Sequence, residues 1–153
     1  MTTTRDSIRA QLSQLYVPYY DALCELLPED EWAPYQGLRT FDHQAQLFAS
    51  GRSRPGRIIT YADAGYSAHN YGMASDWAPW KKGKFEWPNP ADPRWQVYGA
   101  AVEKAGLKWG GHFNKFIDCP HNELVIKVGW GTLKDVFLSQ GLSGVERKLR
   151  EGA

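Results

Sequence analysis

Residues 67–80 read Ser67-Ala-His69-Asn-Tyr-Gly72-Met-Ala-Ser-Asp76-Trp-Ala-Pro-Trp80. The polar half sits at the end of a long aperiodic stretch, Gly51 to Gly72, rich in Gly, Ser, Arg and Tyr. From Met73 to Trp80 the residues alternate well enough for a strand. Gly72 lies at the junction and lets the chain turn there, so that His69 and Asp76 can converge. Long loops inside small domains are usually functional.

Downstream, Lys82-Gly83 predicts a hairpin turn into a second strand, Lys84 to Trp87, which Pro88-Asn-Pro90 ends. Asp92 followed by Pro93 reads as an N-cap and first helical position, and Gly106 as a C-terminal stop, giving a helix over Pro93 to Ala105. Trp109-Gly-Gly111 opens a loop, and Glu123 to Val128 reads as a strand. The tail, 132–153, carries two helical patterns, Leu133 to Ser139 and Val145 to Arg150, separated by Gly141 and Gly144. Upstream, apolar residues recur at helical spacing from Asp6 to about Leu27, with Pro18 imposing a kink or two successive helices. After a short extended piece, a further helix is expected from about Asp42 to Ser50, stopped by Gly51. Helix, helix, strands, helix, strand, helix is not the alternation of a doubly wound fold. The expectation is α+β, a small antiparallel sheet with flanking helices.

At 153 residues, 42% hydrophobic and 23% charged, the chain fits one soluble domain over 1–153. It is expected to act as a monomer. A net charge of +1 gives no general attraction to nucleic acid, and Lys81, Lys82 and Lys84 read as a solvated hairpin tip. Cys24 and Cys119 are the two cysteines, and they predict no disulfide framework. Met1 to Asp6 lacks the basic segment and apolar run of a secretory signal, and no stretch is long and apolar enough to enter a membrane. The expected location is the cytoplasm.

Two segments carry chemistry: Ser67 to Asp76, and Asp118-Cys-Pro-His121-Asn-Glu123. His69, Asp76 and His121 supply two imidazoles and a carboxylate, the ligand set of a catalytic Zn2+ site with a fourth position open. Asp118 is placed to move a proton. Spacing alone leaves open a surface His69, a capping Asp76 and a His121 at the core edge.

The order and context of these residues are more specific. Ser67-x-His69-x-x-Gly72-x-Ala74-x-Asp76 resembles the signature of the zinc D-Ala-D-Ala carboxypeptidase and L-alanyl-D-glutamate endopeptidase family of LAS metallopeptidases. Asp118-x-Pro-His121-x-Glu123-Leu124 resembles its second ligand motif, and Trp109-Gly-Gly111 with Phe116 the segment before it. Gly37-Leu-Arg39-Thr40, Gln44, Leu47 and Gly51-Arg52 are similar to its upstream stretch, so the resemblance runs from 37 to 124. It implies a hedgehog/DD-peptidase-like fold, with His69, Asp76 and His121 as zinc ligands and Asp118 as general base. It further implies that Arg39 stabilises developing charge, and that Ser67 and Gln44 contact substrate. A structural ion pair for Arg39, a turn-forming Ser67 and an exposed helical Gln44 are the plainer alternatives.

The chain departs from the pattern at His112, Phe113 and Asn122, read as lying beside the cleft and bearing on substrate preference. His112 is a competing ligand candidate; Cys119 reads as a buried inert thiol, and His43 as exposed. Asp118, where carboxypeptidases of the family generally carry Glu, implies cleavage of the L-Ala–D-Glu bond of peptidoglycan stem peptides. The single small domain resembles phage endolysins, held in the host cytoplasm and acting on the wall after release. A D,D-carboxypeptidase or dipeptidase, and a non-catalytic muropeptide-binding domain, remain alternatives.

Overall fold

The computed structural model describes residues 3–152; Met1, Thr2 and Ala153, which the expected 1–153 domain includes, lie outside the described residues. Thr3 and Asp6 form a reciprocal capping box that starts helix α1, Thr4–Arg9. Pro18 falls in the first turn of α2, Val17–Leu26, so the N-terminal run is two successive helices. Arg5 joins them to the sheet by donating to the carbonyls of Cys24, Leu27 and Trp32 at 2.8–3.0 Å.

The short extended piece that follows is strand β1, Trp32–Gln36. Helix α3, Phe41–Ala49, is capped by Thr40, whose hydroxyl accepts from His43 N–H. The long loop ends in a 3-10 turn, Ala68–Tyr71, before β2, Ala74–Lys81. Lys82 and Gly83 both have positive φ, as a two-residue hairpin requires, and β3 is limited to Lys84–Phe85. Helix α4, Arg94–Lys104, begins one residue later than expected: Pro93 occupies the cap position, although Asp92 Oδ1 still accepts from Arg94 N–H at 2.9 Å. Gly106, at φ +87°, ends it.

Strands β4, Lys108–Trp109, and β5, His121–Glu123, complete an antiparallel sheet in the order β1-β2-β5-β4, with β3 paired to β2. The expected strand 123–128 is corrected to 121–123. Pairing to β2 begins at Ala74 and pairing to β4 at Lys108, both opposite Glu123, so the apolar run beyond has no partner strand. The tail keeps its two expected helical stretches, with Gly141 alone at the break. Helix α5 spans Trp130–Glu151 and is interrupted only at Gly141 (φ 70°, ψ −168°), while Gly144 is buried within it.

The core is aromatic. Tyr16, Tyr20, Trp77 and Tyr98 are at most 1% exposed, between the sheet and helices α2 and α4. Trp109 lies so close to α4 that a Cβ on Gly99 would stand 2.4 Å from its ring. Trp130 and Phe137 of α5 pack on Tyr71, so the tail buttresses the turn that carries His69.

Candidate metal centre

Asp76 and His121 are directly opposed across the β2–β5 pair. His69 reaches them from the 3-10 turn, whose sharp exit uses Gly72 at φ +67°; a Cβ there would meet Ser13 N at 2.8 Å. Ser67 caps that turn, its hydroxyl accepting from His69 N–H at 3.2 Å. His69 Nε2 and His121 Nδ1 each lie 3.1 Å from Asp76 Oδ1 and 3.2 Å from each other. All three residues are buried.

The outer nitrogens settle the tautomers. His69 Nδ1 is 2.8 Å from the carbonyl of Gly37, which can only accept, so it carries a hydrogen. His121 Nε2 is 2.8 Å from Glu123 Oε1 and donates in the same way. The inner nitrogens, His69 Nε2 and His121 Nδ1, are then the ones left to offer lone pairs to a cation beside Asp76 Oδ1. Three acceptors at this spacing suit a common cation, since donors about 2.0–2.1 Å from a tetrahedral ion stand about 3.3 Å apart. Protonation follows the same field. Burial works against a charged His121, but its hydrogen bonds to Asp76 and Glu123 and the charges of Asp76 and Asp118 raise it to about 10. Burial opposes ionisation of Asp76 too, yet the two histidines hold it well below the usual carboxylate range. The carboxylates of the site thus favour positive charge at its centre.

Around it lies a cleft of about 590 Å³ whose lining includes Arg39, Ser67, Asp118, Phe113 and Trp130. Gly110 is required for the Asp118 loop: its carbonyl accepts from Asp118 N–H at 3.0 Å, and a Cβ would stand 2.3 Å from Asp118 O. Burial, with the charge of Asp76, raises the Asp118 carboxyl above its ordinary value. Arg39 Nη2 is 3.8 Å from Asp76 Oδ2, a loose pair, and its buried Nε has no partner among the described residues.

Several expected placements change. Gln44 is not an exposed helical residue: it is fully buried, accepts from Arg39 Nη1 at 2.9 Å and donates to the Ala62 carbonyl at 2.6 Å. It holds Arg39 and does not line the cleft. Asn122 is also not beside the cleft. Strand alternation turns it away from His121 into the core, where its amide donates to Ser75 and Tyr98 at 2.9–3.0 Å and its carbonyl accepts from Tyr16. His112 is exposed and pairs with Glu103 at 2.8 Å, away from the ligands. Phe113 does line the cleft, its ring 5.6 Å from that of His121. Cys119 is buried and His43 exposed, as expected.

Tyr35 was not singled out by the sequence. It falls at the irregular register between Pro34 and Gln36, a β-bulge that re-aims its side chain to the cleft. Burial of the hydroxyl end, with the charges of Asp76 and Asp118, pushes its pKa up. Glu123 was quoted without a role, although residues two apart on a strand share a face.

Residues 60–124, which hold both ligand segments, match the sequence model of a family of M15 peptidases described as D-alanyl-D-alanine carboxypeptidase. Over that span the chain is similar to the peptidases of that family. It is 37% identical over 97 residues to the peptidoglycan L-alanyl-D-glutamate endopeptidase CwlK of Bacillus subtilis, covering 59% of this chain and 58% of that protein. It is 30% identical over 98 residues to the L-alanyl-D-glutamate peptidase of Listeria phage A118, covering 64% of this chain and 31% of that protein. The chain thus spans less than two thirds of each of these relatives. The crystal structure of the L-Ala D-Glu endopeptidase ChiX of Serratia marcescens shares the fold, with a TM-score of 0.56 and 21% identity over 82% of this chain and 89% of that one.

Proposed function

We propose that this protein is a zinc-dependent peptidase that hydrolyses the L-Ala–D-Glu bond of peptidoglycan stem peptides. The observation that carries the reading is the convergence of His69 Nε2, Asp76 Oδ1 and His121 Nδ1, with both outer ring nitrogens committed to Gly37 and Glu123. Two imidazoles and a carboxylate suit zinc. Bound there, the metal would polarise the scissile carbonyl and lower the pKa of a water toward neutrality.

Asp118 takes the proton of the attacking water and returns it to the leaving amine of D-Glu; its raised pKa suits both transfers. Arg39, oriented by Gln44 at the cleft wall, meets the oxygen on which negative charge develops, or a substrate carboxylate. Ser67 fixes the His69 turn at the cleft wall.

The specificity follows the names of the three relatives, and the family description favours a second reading, release of a terminal D-Ala. Product analysis on purified peptidoglycan separates them. New N-terminal D-Glu with no new reducing ends supports the endopeptidase; free D-Ala alone supports the carboxypeptidase; no product together with muropeptide binding supports a non-catalytic domain. Asp118→Asn should keep the zinc and lose roughly 10²–10⁴ in turnover. An Asp118→Asn protein that holds zinc and cleaves at the wild-type rate refutes the assigned base. The phage relative supports a lytic role after release from the cytoplasm. Expression there should be harmless until the inner membrane is permeabilised. None of the described helices is long and apolar enough to cross a membrane. We take the active unit to be a monomer, which sedimentation would test.

A further inference from the structure

We propose that the aromatic corner formed by Tyr35, Phe85 and Trp87 is a saccharide subsite, holding the sugar that carries the stem peptide while the peptide lies in the cleft. This rests on the peptidase reading given above. The rings of Phe85 and Trp87 are 5.6 Å apart and inclined by only 32°, which makes them a floor. Tyr35 stands nearly perpendicular to both, at 5.1 Å and 81° from Trp87 and 5.8 Å and 75° from Phe85, as a wall. Phe85 is anchored from below by Trp80, whose ring centroid is 4.7 Å away. Trp87 is 65% exposed and follows the end of β3, so it serves neither core burial nor strand pairing. A rigid, open aromatic face of this kind marks a binding surface, and an indole stacks well on the apolar C–H face of a pyranose ring.

Position selects the ligand. Tyr35 belongs to both structures, lining the cleft with Asp76 and Arg39 while its ring forms the wall of the corner. In peptidoglycan the amino group of L-Ala is acylated by the lactyl arm of N-acetylmuramic acid. The sugar is therefore separated from the scissile bond by one residue and a three-carbon arm, roughly two residue lengths of about 3.5 Å each. A corner that begins at the cleft wall and extends one ring further out fits a sugar at that separation. Its pyranose ring stacks on Trp87, and the lactyl arm passes Tyr35.

The test compares N-acetylmuramoyl-L-Ala-D-isoglutamine with acetyl-L-Ala-D-isoglutamine, which lacks the sugar. Wild-type kcat/KM should favour the muramoyl substrate by about tenfold. Trp87→Ala should remove that preference through KM and leave the acetyl substrate cleaved within about twofold of wild type. Trp87→Phe should restore part of it. A preference that survives Trp87→Ala, or its absence in the wild type, overturns the subsite. If the wild type cleaves neither compound, the peptidase reading fails instead, and the subsite is judged by binding alone. Free N-acetylmuramic acid at ~10 mM should then shift the Trp87 indole N–H resonance, because a millimolar site would be occupied. No shift overturns the subsite.

Discussion

Replacing Glu123 by alanine isolates what the outer hydrogen bond contributes to the metal centre. The Glu123 carboxylate accepts from His121 Nε2 at 2.8 Å, and the two side chains are 14% and 7% exposed, so water screens the bond little. Without it the ring is free to move its hydrogen to Nδ1, which blocks the lone pair that faces Asp76. Losses of this kind cost about 10–100-fold in metal affinity, or about 1.4–2.8 kcal/mol. One effect opposes this. Glu123 helps hold a proton on His121, whose pKa of about 10 means that the metal-free protein keeps that proton at neutral pH. Losing Glu123 weakens the competitor as well as the ligand. Asp76, 3.1 Å from Nδ1, remains as the stronger hold on that proton, so the loss of orientation dominates. Glu123→Gln keeps an acceptor without the charge and should fall between wild type and Glu123→Ala. Competition against a chelator of known zinc affinity at neutral pH measures all three proteins. A Glu123→Ala protein that binds zinc as tightly as wild type refutes the reasoning.

Four further outcomes are expected. Asp118 acts ionised and its carboxyl is raised by burial, so hydrolysis should fall on the acidic side at a pH above the ordinary 3.8, and rate–pH profiles at full metal occupancy should show that limb. A raised carboxyl also means that its contribution to stability, present below the unfolded value, is lost as pH rises through the folded value. Asp118→Asn should therefore raise the melting temperature of the metal-free protein at neutral pH, and an unchanged or lower one counts against the buried charge. Gln44→Leu leaves Arg39 Nη1 buried without its acceptor, which should cost about 1–3 kcal/mol in denaturant unfolding and raise KM with zinc content unchanged; wild-type stability and KM would contradict the contact. Gly99→Ala places a methyl 2.4 Å from the Trp109 ring and should destabilise by about 1–3 kcal/mol despite alanine's better helix propensity, so a more stable variant would show that Trp109 can move.

The convergence of the candidate ligands was legible because each lies in a short segment whose local chemistry is self-sufficient: a capped turn with a glycine exit, and a histidine three residues after an acid. What the sequence hid depends on partners far along the chain. The run from Leu124 to Val128 has the composition of a strand, but past the Leu124 N–H bond to the Met73 carbonyl it has no ladder partner among the described residues. Gln44 reads as a surface residue until Arg39 and the Ala62 carbonyl fold over it. Tyr35 enters the cleft through a bulge defined by pairing with residues some forty positions later. The placement of Asn122 was available, since a residue next to a strand-borne ligand faces the other way. Reading it as part of the cleft overlooked that alternation.

The Ser13 hydroxyl donates to Glu146 at 2.6 Å, and Ser13 N–H donates to the Gly72 carbonyl at 2.9 Å. The beginning of the chain, the turn beside His69 and the final helix thus meet at one buried serine. On a ribosome the candidate ligands His69 and Asp76 emerge before His121, and Glu146 after all three. The turn gains its support from Trp130, Phe137 and Glu146 only after all three have been made. Support for the His69 turn thus comes from residues that follow all three candidate ligands, and a chain clipped before Trp130 would pair Asp76 with His121 while lacking the buttress behind His69.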